Sequence, residues 1–297
     1  MSEQDPHPDE AAVERYARAF LRPSLFERLR SLKGATLGGW TAVWVRAIGS
    51  AGVLLEARKG EARAVLKMPH LPYDRPATFG AAEIRARREA LLREAEMLRR
   101  FSDSPLPSLI ELVTGENPLL AERSAALRGG EVYLAMEPIA GRAIDLEVQA
   151  RLRHPEFNQV GEWLGRWIED VLSFLKHLRR TPPGHYYTDF KPSQVLVAAE
   201  GQIRIVDAGG IARAGLEMRA PVTRAYAPGT GDLEPVSLQA LGRTLYAALL
   251  NKVLHERSGI DEPLLATVCP ADLAHWISKA AQGAWSTIDE AIARLPL

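Results

Sequence analysis

The chain has 297 residues, 46% of them hydrophobic and 25% charged, with 37 basic residues balanced by 37 acidic ones. That length and usage suit one large domain or two lobes with a proper core, and a net charge of zero gives no general attraction to nucleic acid. The single cysteine, Cys269, excludes an intrachain disulfide, and the absence of a Cys/His cluster argues against structural zinc.

The chain begins with MSEQDPHPDE, too acidic for a secretory leader, and no apolar run approaches the ~20 residues that span a bilayer. A cytoplasmic protein is expected. Two helical segments are predicted between Asp9 and Leu32, broken at Pro23, with Val13, Tyr16 and Phe20 and then Leu25, Phe26 and Leu29 as apolar positions. They form an extension, residues 1–38, and Gly34, Gly38 and Gly39 mark its end.

Three strands follow at Trp40–Ile48, Val53–Ala57 and Ala62–Met68. The first pair is joined by Gly49-Ser50-Ala51-Gly52, a turn whose glycines would let backbone N–H groups approach a phosphate. Alternation puts Val65 and Lys67 on one face of the third strand, with Leu66 and Met68 on the other. A long helix is predicted from Ala81 to Phe101. Within it Glu94 has Ala90, Leu91, Met97 and Leu98 as neighbours, so its carboxylate lies on the apolar stripe and needs a cationic partner in the core. Lys67 is the natural candidate.

Strands at Leu109–Val113 and Glu131–Met136 lead to a linker at Glu137–Gly141. A helix carrying Val160, Leu164, Trp167, Val171, Leu175 and Leu178 precedes the stretch YYTDFKPSQVLVAAEGQIRIVDAGG, residues Tyr186 to Gly210. Its runs Val195–Ala198 and Ile203–Val206 read as a β-hairpin. That hairpin brings Asp189, Lys191, Gln194 and Asp207 to one end of a small sheet, a density of unlike polar groups that packing does not call for. A helix from Val236 to Leu250 and a helical tail complete the chain, with Trp163, Trp167 and Trp276 as core residues.

The ordered set of a glycine turn, Lys67, Glu94, a hinge and TDFKPSQ followed by VDAGG resembles the eukaryotic-like serine/threonine protein kinase family, from about Trp40 to Tyr246. The resemblance implies an α+β, two-lobed fold. Its N-lobe, residues 39–138, holds a small antiparallel sheet and one long helix; its C-lobe, residues 139–297, is mainly helical. It also implies ATP and Mg²⁺ or Mn²⁺ as cofactors.

By the same resemblance Asp189 takes the place of the base that orients the substrate hydroxyl, Lys191 neutralises the transferring phosphoryl, and Gln194 and Asp207 hold the metal. Gly49 and Gly52 cover the nucleotide, and Lys67, held by Glu94, meets its α- and β-phosphates. Met136, Glu137 and Ile139 line the adenine, Val65 and Leu196 sandwich it, and Thr223 belongs to the substrate-docking segment VTRAYAPG. Partners implied are a protein substrate or a regulated protein, with neither nucleic acid nor membrane. The Ala/Arg/Leu-rich usage suggests a bacterial source.

Departures from the family pattern are specific. The glycine turn is short, Thr188 stands in place of arginine, Tyr187 of histidine, Ala208 of phenylalanine, and Gln194 of asparagine. Gly229 replaces a docking-segment glutamate and Ser237 an aspartate, which implies a differently braced C-terminal lobe. Three readings follow: a phosphotransferase acting on Ser/Thr hydroxyls of a protein, a pseudokinase that binds nucleotide as a regulatory domain or scaffold, and a kinase-like enzyme with a small-molecule acceptor. Retention of both aspartates and Lys191 ranks them in that order.

Overall fold

The computed structural model describes residues 21–49, 52–120, 130–154, 159–215, 223–228 and 231–296. Val13, Tyr16, Phe20, Ser50, Ala51 and Gly229 lie outside them. The chain divides into an N-terminal unit, residues 1–102 with 107–138, and a C-terminal unit, residues 103–106 with 139–297.

The N-terminal unit is built on a six-stranded antiparallel sheet in the order β1-β2-β3-β4-β6-β5. Its strands are β1 (Thr36–Leu37), β2 (Trp40–Ile48), β3 (Gly52–Lys59), β4 (Ala62–Pro69), β5 (Leu109–Gly115) and β6 (Glu131–Met136). Period-two alternation puts Val53, Leu55, Ala57, Ala64, Leu66 and Met68 into one core. The helix α1 (Pro23–Arg30) opens with proline in its first turn, where a missing N–H costs nothing. Its Leu25, Phe26 and Leu29 join that core, so this part of the N-terminal extension is integral to the unit. Arg22, just before α1, clamps Asp74 through two hydrogen bonds of 2.7 and 2.6 Å and ties the helix to the β4–α2 connection. Helix α2 (Ala81–Arg100) packs against β6, β4 and β5. It buries Ile84, Leu91, Ala95 and Leu98, with Glu94 on the same stripe.

The C-terminal unit is mainly helical. Its helices are α3 (Ile144–Leu152), α4 (Val160–Arg180), α5 (Leu233–Leu250), α6 (Glu262–Leu265), α7 (Ala271–Ala281) and α8 (Ile288–Ala293). Helix α5 is buried along nearly its full length and packs against α7 and α3, the position of a central helix. Trp163, Trp167 and Trp276 are core residues, as the helical spacing predicted. The hairpin β9 (Val195–Ala198) and β10 (Ile203–Ile205) pairs with β7 (Gly141–Ala143), and β8 (His185–Tyr187) pairs with β11 (Ile211–Arg213).

Strands β3, β4 and β5 run one or two residues past the bounds read from the sequence and α2 stops one residue short, at Arg100; two further boundaries also shift. Strand β10 ends at Ile205 because the N–H of Val206 leaves the ladder for the carbonyl of Gln194, at 3.0 Å. Helix α5 starts at Leu233, directly after Asp232, and so includes Glu234 and Pro235. Among the described residues no helix is long and apolar enough to cross a membrane.

Candidate active site

The N-terminal unit supplies a buried ion pair. Nζ of Lys67, near the end of β4, lies 2.8 Å from each carboxylate oxygen of Glu94 on α2, and the two side chains are only 6% and 4% exposed. The apolar stripe that marked Glu94 as needing a cation and the alternation that turned Lys67 away from Leu66 and Met68 thus meet in one contact. A pair this buried is held by geometry: removing either partner strands a charge at a cost of about 3–5 kcal/mol.

Gly52 is part of the same construction. A Cβ there would sit 2.8 Å from Lys67 Cε, 3.2 Å from Lys67 Cγ and 3.2 Å from the carbonyl of Met68. The lysine stem crosses this residue, and only glycine leaves room for it. Gly49 closes the turn by donating its N–H to the carbonyl of Gly52 at 2.9 Å.

Val65 pairs across the sheet with Glu56 on one side and Met136 on the other. Sequence reading passed over Glu56, yet its carboxylate is buried and accepts from Trp44 Nε1 and Arg63 Nη2, each at 2.8 Å. Burial pushes that carboxyl upward, but the hydrogen bonds from Arg63 and Trp44 outweigh it and leave it below the ordinary range. Met136 is buried on β6, and the N–H of Glu137 is already given to the carbonyl of Ser108 at 2.9 Å. Of the backbone groups of Glu137, the N–H is therefore committed inside the protein.

The C-terminal unit gathers the remaining polar residues. Gln194 Nε2 donates to Asp207 Oδ2 at 2.8 Å and to Asp189 Oδ2 at 3.2 Å, so one amide joins the two carboxylates. Lys191 Nζ lies 3.3 Å from Asp189 Oδ2. The other oxygen of Asp189 accepts the backbone N–H of Thr223 at 2.8 Å, which ties the proposed docking segment to this carboxylate by main chain. Asp207 Oδ1 caps the following turn by accepting from the N–H of Gly209 at 3.0 Å. Leu196 lies on β9 opposite Ala143 and Arg204, and Ile139 is a buried residue of the same unit.

Gly210 explains why the loop is so tight. A Cβ on it would lie 3.0 Å from Asp189 Cβ and 3.1 Å from Tyr187 Cζ, and its carbonyl accepts from the N–H of Thr188 at 3.0 Å. Tyr187 packs on Phe190 at 4.5 Å between ring centroids and on Phe174 at 6.1 Å. Ala208 is itself buried, and Tyr187 donates its hydroxyl to Gln194 Oε1, 3.4 Å away.

Arg243 on α5 was not singled out from the sequence. It is 4% exposed and donates to three carbonyls: Ala225 at 2.6 Å, His255 at 2.8 Å and Ser258 at 3.3 Å. Its guanidinium links the main chain at Ala225 to that at His255 and Ser258. Ser237, which stands where the family pattern has aspartate, donates only to the carbonyl of Leu233 in its own helix, at 2.9 Å. The signal for Arg243 was available, a lone cation within an otherwise apolar helix.

The donor set for a cation in this unit is two carboxylates and one amide, all potential oxygen ligands, which suits a hard divalent ion such as Mg²⁺ or Mn²⁺. Gln194 presents nitrogen to both aspartates, so ligation would require its amide to turn over. Tyr187 would accommodate the turn, because a hydroxyl can donate or accept.

No protein-family model and no curated protein matches this sequence. Solved structures do. The kinase domain of Mycobacterium tuberculosis PknI aligns with a TM-score of 0.58 at 19% identity, over 88% of this chain and 97% of that one. A second structure of that domain gives 0.56 at 18% identity over 88% and 96%, and a double mutant of it 0.56 at 18% over 89% and 97%. The antiparallel sheet with its long helix, the helical C-terminal unit and these alignments agree: the chain has the two-lobed α+β protein-kinase fold.

Proposed function

We propose that the chain is an ATP-dependent phosphotransferase that moves the γ-phosphate to a serine or threonine hydroxyl of a protein. The observation that carries the reading is the chain of hydrogen bonds that joins Lys191 to Asp189, Asp189 to Gln194 and Gln194 to Asp207. The buried Lys67–Glu94 pair of the N-terminal unit is a second feature of the same family pattern. A scaffold has no physical need for two adjacent carboxylates with a lysine beside them.

In this reading Asp189 orients the attacking hydroxyl and takes its proton as the oxygen bonds to the γ-phosphorus. The bond to the bridging oxygen breaks and ADP leaves. Lys191 offsets charge on the transferring group, and Lys67, fixed by Glu94, holds the α- and β-phosphate oxygens. Phosphoryl transfer asks mainly for positioning and charge neutralisation, which these groups supply. Mg²⁺ or Mn²⁺, when bound, adds neutralisation of the phosphate oxygens; Asp207 and the turned amide of Gln194 would hold it. The acceptor class rests on Lys191 and on Thr223 beside Asp189.

Asp207→Asn is expected to abolish metal-dependent stabilisation by ATP, while Asp189→Ala keeps binding and loses transfer. Transfer that survives Asp189→Ala would remove Asp189 from this role. A second reading, a nucleotide-binding regulatory domain without transfer, is favoured by one observation. Gln194 turns nitrogen toward both aspartates, a resting arrangement in which one amide hydrogen-bonds to both carboxylates.

A further inference from the structure

Glu131, the first residue of β6, is fully buried, 0% exposed, and no part of the reading above uses it. Its carboxylate accepts from Arg88 Nε at 3.1 Å, from Asn117 Nδ2 at 2.8 Å and from the N–H of Val132 at 3.2 Å. Asn117 Nδ2 also lies 3.4 Å from the hydroxyl of Tyr73, which donates to the carbonyl of Pro69 at 2.6 Å. A buried carboxylate with this many donors is a fixed point, since each donor that left would leave the buried charge less well compensated.

Two ends of this chain of bonds coincide with the elements that carry Lys67 and Glu94. Pro69 ends β4, two residues after Lys67. Arg88 lies on α2, six residues before Glu94, or about 9 Å along the helix axis. The network thus ties helix α2 and the end of strand β4 to one immobile anion.

We infer that Glu131, with Arg88, Asn117 and Tyr73, positions α2 against β4 so that Glu94 stays on Lys67. The network is a built-in lock that keeps the lysine pair formed without any change at the docking segment. It rests on the reading of Lys67 as the nucleotide lysine for its importance to function, but its geometry can be tested without nucleotide.

The test measures acetylation of Lys67 by acetic anhydride in the full-length protein, quantified by mass spectrometry. An ammonium held in a buried ion pair reacts slowly, because only the free amine attacks. Glu131→Gln and Arg88→Met are expected to acetylate at Lys67 on the order of tenfold faster than the parent, approaching Glu94→Gln. Tyr73→Phe, which removes one hydroxyl and keeps the ring packing, gives a smaller rise and serves if the charge variants fail to fold. Leu37→Ala, in the same core but on β1, is the control for general destabilisation and is expected to leave the rate unchanged. Acetylation at the parent rate in folded Glu131→Gln, Arg88→Met and Tyr73→Phe would overturn the inference, as would an equal rise in Leu37→Ala. If acetylation follows the network while the parent neither binds nor uses ATP, the lock stands and the kinase reading falls.

Discussion

Gln194 Nε2 lies 2.8 Å from Asp207 Oδ2, so the residue in the metal-holding place of the family pattern turns its donor toward the carboxylate. The same nitrogen reaches Asp189. Replacing Gln194 with Leu leaves two neighbouring carboxylates without their shared donor and is expected to destabilise the protein by about 1–3 kcal/mol, read from urea unfolding. Added Mn²⁺ is expected to stabilise the parent more than Gln194→Leu, because the substitution removes the amide oxygen that a turned Gln194 would offer the ion. Equal responses to Mn²⁺ in both proteins would show that the Gln194 amide does not ligate the ion.

The stem of Lys67 over Gly52 predicts a second outcome. In Gly52→Ala the new methyl displaces the lysine from Glu94, with overpacking that costs about 1–3 kcal/mol. The expected result is a folded protein whose thermal stabilisation by ATP is largely lost. Full retention of that stabilisation would show that Lys67 need not occupy its observed position.

Arg243 predicts a stability effect far larger than a surface arginine would give. Arg243→Met keeps the bulk and removes the donors, leaving the carbonyls of Ala225, His255 and Ser258 without their cation. A loss of at least about 2 kcal/mol is expected, together with faster proteolysis within residues 223–228. A change under about 0.5 kcal/mol, the scale of an ordinary surface substitution, would mean those carbonyls find other donors.

The pH dependence has a defined window. Hydrogen bonds from Arg22 hold the Asp74 carboxyl down at about 2, overcoming partial burial and assisted by Ser24. The unfolded chain would titrate it at about 3.9. A depressed acid stabilises the folded state above its unfolded value, so the contribution is present above about pH 4 and fades as pH falls toward 2. Asp74→Asn is expected to lower the melting temperature at neutral pH, with the difference from the parent shrinking below about pH 4. A difference that stays constant to pH 2 would assign the effect to packing.

The sequence was most informative where local pattern and chemistry coincide. Strand alternation placed Lys67, the helical stripe isolated Glu94, and the turn at Ala199–Gln202 fixed the hairpin register that brings Asp189 and Asp207 together. What stayed hidden depends on groups distant in sequence. Arg243 bonds to carbonyls, which every residue carries, so its partners leave no mark in the sequence. Glu131 reads as the polar start of a strand, and only the fold brings Arg88 and Asn117 to it. The close approach of Gly210 to Asp189 and the facing of the Gln194 amide are likewise three-dimensional facts.

The most direct test of phosphoryl transfer is incubation of the full chain with γ-labelled ATP and Mg²⁺ or Mn²⁺, alone and with a panel of protein substrates. The account predicts label on serine or threonine, in the protein itself or in a substrate, and its disappearance in Asp189→Ala while ATP still binds. ATP binding by the parent with no label on any protein would contradict it and leave the nucleotide-binding regulatory reading in its place.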